Sequence, residues 1–165
     1  MAEEATAAAQ GTGADARQVL MQKVYLKDAS VEVPLAPQVF SRAWKPAVDV
    51  NVSTQAQPIT DDQYHLVLTV TVTAKLGEDV AFLVEVHQAG MFALRGFPND
   101  HERAAALGAY CPAVIFPFAR QAVADLVQQA GFPQLLLQPI NFDALYVEHL
   151  NRQRQQSAAR PAVIN

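Results

Sequence analysis

The stretch "YHLVLTVTVTAKLGEDVAFLVEVHQ", residues 64–88, decides the fold class. Tyr64, Leu66, Leu68, Val70, Val72 and Ala74 alternate with His65, Thr69, Thr71, Thr73 and Lys75, and Val67 is the one apolar exception. A period of two in β-branched residues predicts a half-buried strand. "LGED" (76–79) supplies a turn, and "VAFLVEVHQ" (80–88) returns as a second strand, so the pair is a β-hairpin. In the returning strand Val80, Phe82, Val84 and Val86 point inward, which leaves Leu83 and Glu85 on the opposite face.

Working outward, "VDVNVS" (48–53) alternates in the same way, and "VLMQKVYLKDASVEVP" (19–34) reads as a long strand ended by Pro34. If that strand is regular, Asp28, Ser30 and Glu32 share a face. "LAPQVFSRAWKP" (35–46) joins these two strands as an irregular crossover. Beyond the hairpin the period changes. Asn99 sits three residues before Glu102 as a helix cap, followed by an alanine run. "PFARQAVADLVQQAG" (117–131) predicts a helix closed by Gly131 and Pro133. "NFDALYVEHLNRQ" starts a last helix at Asn141, with Phe142, Leu145, Tyr146 and Leu150 along one stripe. Strands followed by helices predict an α+β protein with a four-stranded antiparallel sheet. The expected organisation is a tail at 1–17, one domain at 18–151 and a flexible tail at 152–165.

Hydrophobic residues make up 51% of the chain and charged ones 17%, which suits a large core and an apolar binding or oligomer surface. The net charge of −4 is uneven, with −2 on residues 1–17, +3 on 152–165 and −5 between them. An acidic body without a Lys/Arg stripe argues against nucleic acid and permits a basic protein partner. A single cysteine excludes an internal disulfide and fits a reducing compartment. With no secretory signal at the start and no apolar run long enough to span a bilayer, a cytoplasmic protein is expected.

Chemistry finds little support. Cys111 lies in "LGAYCPAVIFPFAR" (107–120) among apolar neighbours, with no cation closer in sequence than Arg103, so it reads as packing rather than as a nucleophile. His65, His87, His101 and His149 have no metal-ligand spacing, and no metal is expected. Asp61–Asp62 and Glu78–Asp79 fall in turns, which favour such residues for backbone reasons. Phosphate-loop, dinucleotide and nucleophile-elbow motifs are absent, which predicts a non-enzyme without cofactors.

Four segments, "VYLKDASVEVPLAPQVF" (24–40), "VTVTAKLGEDVAFLVEV" (70–86), "LGAYCPAVIFPFAR" (107–120) and "GFPQLLLQPINFDALY" (131–146), resemble the SecB protein-export chaperones in order and character. The resemblance covers about Val19 to Leu150. It implies an ATP-independent holdase that binds unfolded precursor proteins in the cytosol and passes them to the SecA motor ATPase. It also implies a four-stranded antiparallel sheet with helices on one side, assembled as a dimer of dimers. Motor-binding positions of the family match Asp28, Glu32, Leu83 and Glu85. Its client groove runs between the crossover, with Phe40 and Trp44, and the last helix, with Phe142, Leu145, Tyr146 and Leu150. Trp44 reads equally well as a loop anchor. The long helix of the family builds the oligomer, which assigns Cys111, Phe118, Ala122 and Val123 to that interface. The C-terminal tail departs from the family in being basic. A chaperone of the same fold serving a toxin–antitoxin pair, and an enzyme built around Cys111 and a histidine, are the competing possibilities.

Overall fold

In the structure, a computed structural model that describes residues 16–159, the hairpin forms as the alternation predicts. The strands are β1 (Gln18–Glu32), β2 (Ala47–Pro58), β3 (Gln63–Leu76) and β4 (Asp79–Arg95). β3 and β4 join through a two-residue turn at Gly77–Glu78, with Leu76 paired to Asp79. β2, β3 and β4 each extend beyond their apolar alternation, while β1 begins one residue early at Gln18 and ends at Glu32, before Pro34.

The sheet is antiparallel, in the order β1-β4-β3-β2. β2, β3 and β4 form a meander, and β1 closes a Greek-key order by pairing with β4 rather than with β2. The crossover from Val33 to Pro46 therefore spans from one edge of the sheet to the other. It is not wholly irregular: Gln38–Ser41 makes a short 3-10 turn that buries Val39. β1 carries bulges at Met21/Lys23 and Leu26/Asp28. Both precede Asp28, so the strict alternation needed for Asp28, Ser30 and Glu32 to share a face holds over that stretch.

One face of the sheet is apolar except for Thr54 and the buried Gln88. Leu66, Leu68, Val70 and Val72 of β3 and Phe82, Val84 and Val86 of β4 are buried against Ile115, Val123 and Val127 of the long helix. That helix differs from expectation. α1 (Asp100–Ala105) passes through a π-helical segment, Ala106–Tyr110, directly into α2 (Cys111–Gln129). Pro117, read in the sequence as a helix start, lies inside α2. The carbonyl it leaves without a partner belongs to Ala113, an exposed residue that water can serve. Pro112 lies where the π-helical segment passes into α2.

The caps follow the sequence. Asn99 Oδ1 accepts from the Glu102 amide at 2.9 Å and Asn141 Oδ1 from the Ala144 amide at 3.0 Å. Gly131 ends α2 at φ +91°, a left-handed conformation that a side chain would disfavour. α3 (Phe142–Ala158) continues past the expected boundary at 152, so residues 152–158 are helical rather than tail. Residues 1–15 and 160–165, which hold most of the expected N-terminal tail and the end of the C-terminal one, lie outside the described residues.

Candidate functional site: an acidic sheet face and an apolar groove

Directly opposed residues of antiparallel strands point to the same side. The register therefore builds the outer face, away from α2, as three rows across the sheet. Asp28, His87, Thr69 and Ser53 form one row; Ser30, Glu85, Thr71 and Asn51 the next; Glu32, Leu83, Thr73 and Asp49 the third. Asp28, Glu32, Leu83 and Glu85 are thus brought together as the sequence anticipated. Asp49 and His87 join them. His87 shares the face of Glu85 by alternation alone, two residues further along β4, whereas Asp49 is placed there by the register of β2 on β3.

Glu85 is the best-organised acid on this face. Its Oε1 accepts from His87 Nε2 at 2.6 Å, and its Oε2 accepts from the Thr71 hydroxyl at 3.2 Å. The second ring nitrogen of His87, Nδ1, lies 3.2 Å from Thr69 Oγ1. The hydrogen bond from His87, and then that from Thr71, hold the Glu85 carboxyl below its ordinary range, so it is ionised at neutral pH. Among the described residues, no Lys or Arg forms an ion pair with Asp28, Glu32, Asp49 or Glu85. This face presents negative charge to solvent around one half-buried leucine, Leu83.

The other edge of the molecule is apolar. A groove of about 450 Å³ runs between Val48, Val50 and Val52 of β2 and the extended segment Leu135–Ile140. Its walls are open: Leu136 is 62% exposed, and Val48 and Val50 are each 41% exposed. Leu145 and Val52 also line a second groove of about 570 Å³, walled by Phe142 and Tyr146 on α3 and by Leu107 and Gly108. Glu148, His149 and Arg152 give its far end a charged rim. Sharing two residues, the grooves form one path along β2, whose outer edge has no neighbouring strand among the described residues.

Of the expected groove residues, Phe142, Leu145 and Tyr146 lie on this path; Phe40, Trp44 and Leu150 do not. Phe142 is buried and packs edge-on against Phe116 at 5.6 Å, so it anchors α3. The Trp44 ring sits 5.0 Å from Phe132 and 6.2 Å from Phe82, which is the loop-anchor arrangement. Phe40 is half exposed and lies 5.2 Å from Phe132. The residues sequence reading missed, Leu135, Leu136 and Ile140, stand in "PQLLLQPI" (133–140), where prolines at both ends forbid a helix that could bury them. An apolar run with no regular structure available was the signal.

Tyr146 rests on the π-helical segment. A Cβ at Gly108 would fall on the Tyr146 ring, closer than any real Cβ approaches. Gly108→Ala should therefore displace α3 and narrow or distort the groove, at a cost of about 1–3 kcal/mol. Urea unfolding and binding of an unfolded polypeptide, measured on one preparation, check this. Unchanged affinity for that polypeptide would mean that α3 does not shape the groove.

Two expected interface residues are misplaced for that role. Cys111 and Val123 have no exposed surface, because both face the sheet of their own chain. Phe118 is 44% exposed and Ala122 half-buried, so these two remain on the outer side of α2. Burial pushes the Cys111 thiol up to about 12, well above neutral pH. We expect native Cys111 to react with thiol reagents at least about 10²-fold more slowly than in urea, since labelling must wait for opening. Rapid native labelling would return the enzyme alternative. Among the described residues, no three His, Cys, Asp or Glu side chains group to hold a metal, and no helix is long and apolar enough to cross a membrane.

A family model described as preprotein translocase subunit SecB matches residues 12–153. The chain belongs to the SecB family. It is 56% identical over 132 residues to protein-export protein SecB of Thioalkalivibrio sulfidiphilus, covering 79% of this chain and 77% of the relative. Over 161 residues it is 47% identical to protein-export protein SecB of Nitrosococcus oceani, covering 96% and 97%. Among solved structures, a SecB-like chaperone of Mycobacterium tuberculosis, in complex with a peptide from an antitoxin, aligns with a TM-score of 0.58 at 16% identity. The match covers 74% of this chain and 90% of that one. The SecB-like sheet with its C-terminal helices is thus shared at an identity where only the fold is comparable.

Proposed function

We propose that this SecB-family chain is an ATP-independent holdase that captures unfolded secretory precursors in the cytosol and delivers them to the SecA motor ATPase. The observation that carries this is the path beside the edge of β2, apolar along Leu135–Ile140 and polar at its far rim. An extended polypeptide can add main-chain hydrogen bonds to a strand edge while its side chains settle in an adjacent apolar groove, without any particular sequence being required. Relatives named protein-export proteins at 47–56% identity support the export role.

Delivery to the motor is assigned to the acidic outer face. Asp28, Glu32 and Glu85 would meet basic groups of SecA around an apolar contact at Leu83, and Asp49 would extend the same field. The groove reaches the outer-face rows only at Asn51 and Ser53 of β2, away from Asp28, Glu32 and Glu85, so client and motor can be held together.

Self-assembly into a dimer of dimers is supported by the outer side of α2. Tyr110 and Phe118 are 55% and 44% exposed there, and Ala113 and Pro117 are exposed beside them. An apolar face of this kind is suited to burial against a second copy. Grooves repeated on a tetramer could bind one long client at several places, raising avidity by roughly 10²–10⁴ over a single groove.

The test is size-exclusion chromatography with light scattering, on the protein alone and with an unfolded precursor, in the absence of nucleotide. A tetramer that co-elutes with the unfolded precursor and not with its folded form is expected. A monomer that ignores both would remove holdase function and assembly together.

A further inference from the structure

We propose that His87 is a positioning residue of the docking face, which holds the Glu85 carboxylate for a basic partner and weakens that docking when it gains a proton. This rests on the proposed docking of the outer face to SecA.

Glu85 and His87 are two apart on β4, so both point outward, and their side chains meet at 2.6 Å from Nε2 to Oε1. Each partner is held a second time from β3, Glu85 by Thr71 at 3.2 Å and His87 by Thr69 at 3.2 Å. A glutamate normally keeps many rotamers at a surface and loses them on binding. Here the carboxylate is already fixed through both oxygens, at the centre of the acidic rows.

The same contact carries a charge switch. Neutral His87 donates Nε2–H to Glu85 and accepts the Thr69 hydroxyl at Nδ1. Protonated His87 donates from both nitrogens, and the Thr69 hydroxyl turns to accept. The geometry therefore survives protonation, while the pair changes from a net negative charge to none. A cationic partner gains less from the neutral pair, so docking should weaken as pH falls, and docking should release protons at a pH where His87 is partly charged. The groups facing His87 are Asp28, directly opposite on β1, with Lys27 in the bulge beside it, and the uncharged Thr69 and Thr71 on β3. Glu32 and Asp49 lie in the third row, two rows from His87. An arriving cationic partner opposes a positive charge on His87, which gives the coupling its sign.

The experiment is a titration of the intact protein with SecA at constant ionic strength, from about pH 8 to about pH 6, where histidine changes charge. Wild-type affinity is expected to fall roughly two- to fivefold over that range beyond any slope that SecA itself contributes. His87→Gln, whose amide can donate to Glu85 but cannot become charged, should leave only the slope SecA contributes. It should also restore part of the affinity that His87→Ala loses. If His87→Gln keeps the full wild-type slope, another group is the switch and the proposal fails. If His87→Ala binds as tightly as wild type at about pH 8, His87 positions nothing and the proposal fails equally. Glu85→Gln separates this from the docking assignment: should it bind SecA as wild type does, the outer face is not the docking site. Client co-elution, measured for every variant, verifies that each one folds.

Discussion

Replacing Phe82 with alanine should lower the unfolding free energy by about 3–5 kcal/mol, a large share of the 5–15 kcal/mol typical of a folded domain. Phe82 is 1% exposed and lies under two rings, 5.1 Å from Phe132 and 6.2 Å from Trp44. Those rings come from the segment after α2 and from the crossover, so Phe82 fastens two non-regular pieces of chain to the sheet at once. Its removal leaves a cavity that neither piece can collapse to fill without leaving the other. Urea unfolding followed by the fluorescence of Trp44, the single tryptophan, reports both global stability and the local state of the crossover. The comparison should be made at fixed protomer concentration, because assembly adds to apparent stability. A loss below about 1 kcal/mol would mean that the cluster repacks freely. Trp44→Ala should cost less, since Trp44 is only half-buried, but it should loosen the crossover in the same direction.

Glu85→Lys should weaken SecA binding on the order of a hundredfold at low salt and leave client capture largely intact. The substitution puts a positive charge in the middle of Asp28, Glu32 and Asp49, and turns the best-ordered contact into a repulsive one. Because these groups are exposed, the difference between variant and wild type should shrink as salt rises towards 1 M. Titrations at two salt concentrations, beside a client-binding control, check this. Loss of both activities would point to misfolding, and unchanged SecA binding would remove the acidic face from the mechanism.

What could be read from the residues, and what could not, divides by the range of the interactions. The hairpin was legible because alternation is local: Val70 and Val84 declare their face within a few neighbours. Both helix caps were legible for the same reason. The neighbour of β1 was not, since pairing Ser30 with Glu85 rather than with β2 depends on a crossover that spans the sheet. Asp49 went unrecognised as a member of the acidic face because the register of β2 on β3 is also non-local, whereas His87, two residues from Glu85 on β4, was open to the same local alternation. The start of α2 was misjudged because Pro117 signals a helix start almost everywhere, and here an exposed turn tolerates it. Cys111 and Val123 were given to an interface because a helix has two apolar sides in this chain, and hydrophobicity alone does not say which meets its own sheet. Trp44 could be wall or anchor until Phe82 and Phe132 were seen beneath it.

The strand order also governs how the chain must come together. β2, β3 and β4 are joined by short turns and can associate as soon as they are made, but β1 waits. Its pairs run from Glu32 with Leu83 to Gln18 with Arg95, so the first strand synthesised is the last to find its partner. Such distant pairing slows folding. Until Arg95 has left the ribosome, Leu20, Val24 and Leu26 travel on an extended apolar segment with a bare backbone. During its own birth, a protein built to shelter unfinished chains is for a time a chain in need of shelter.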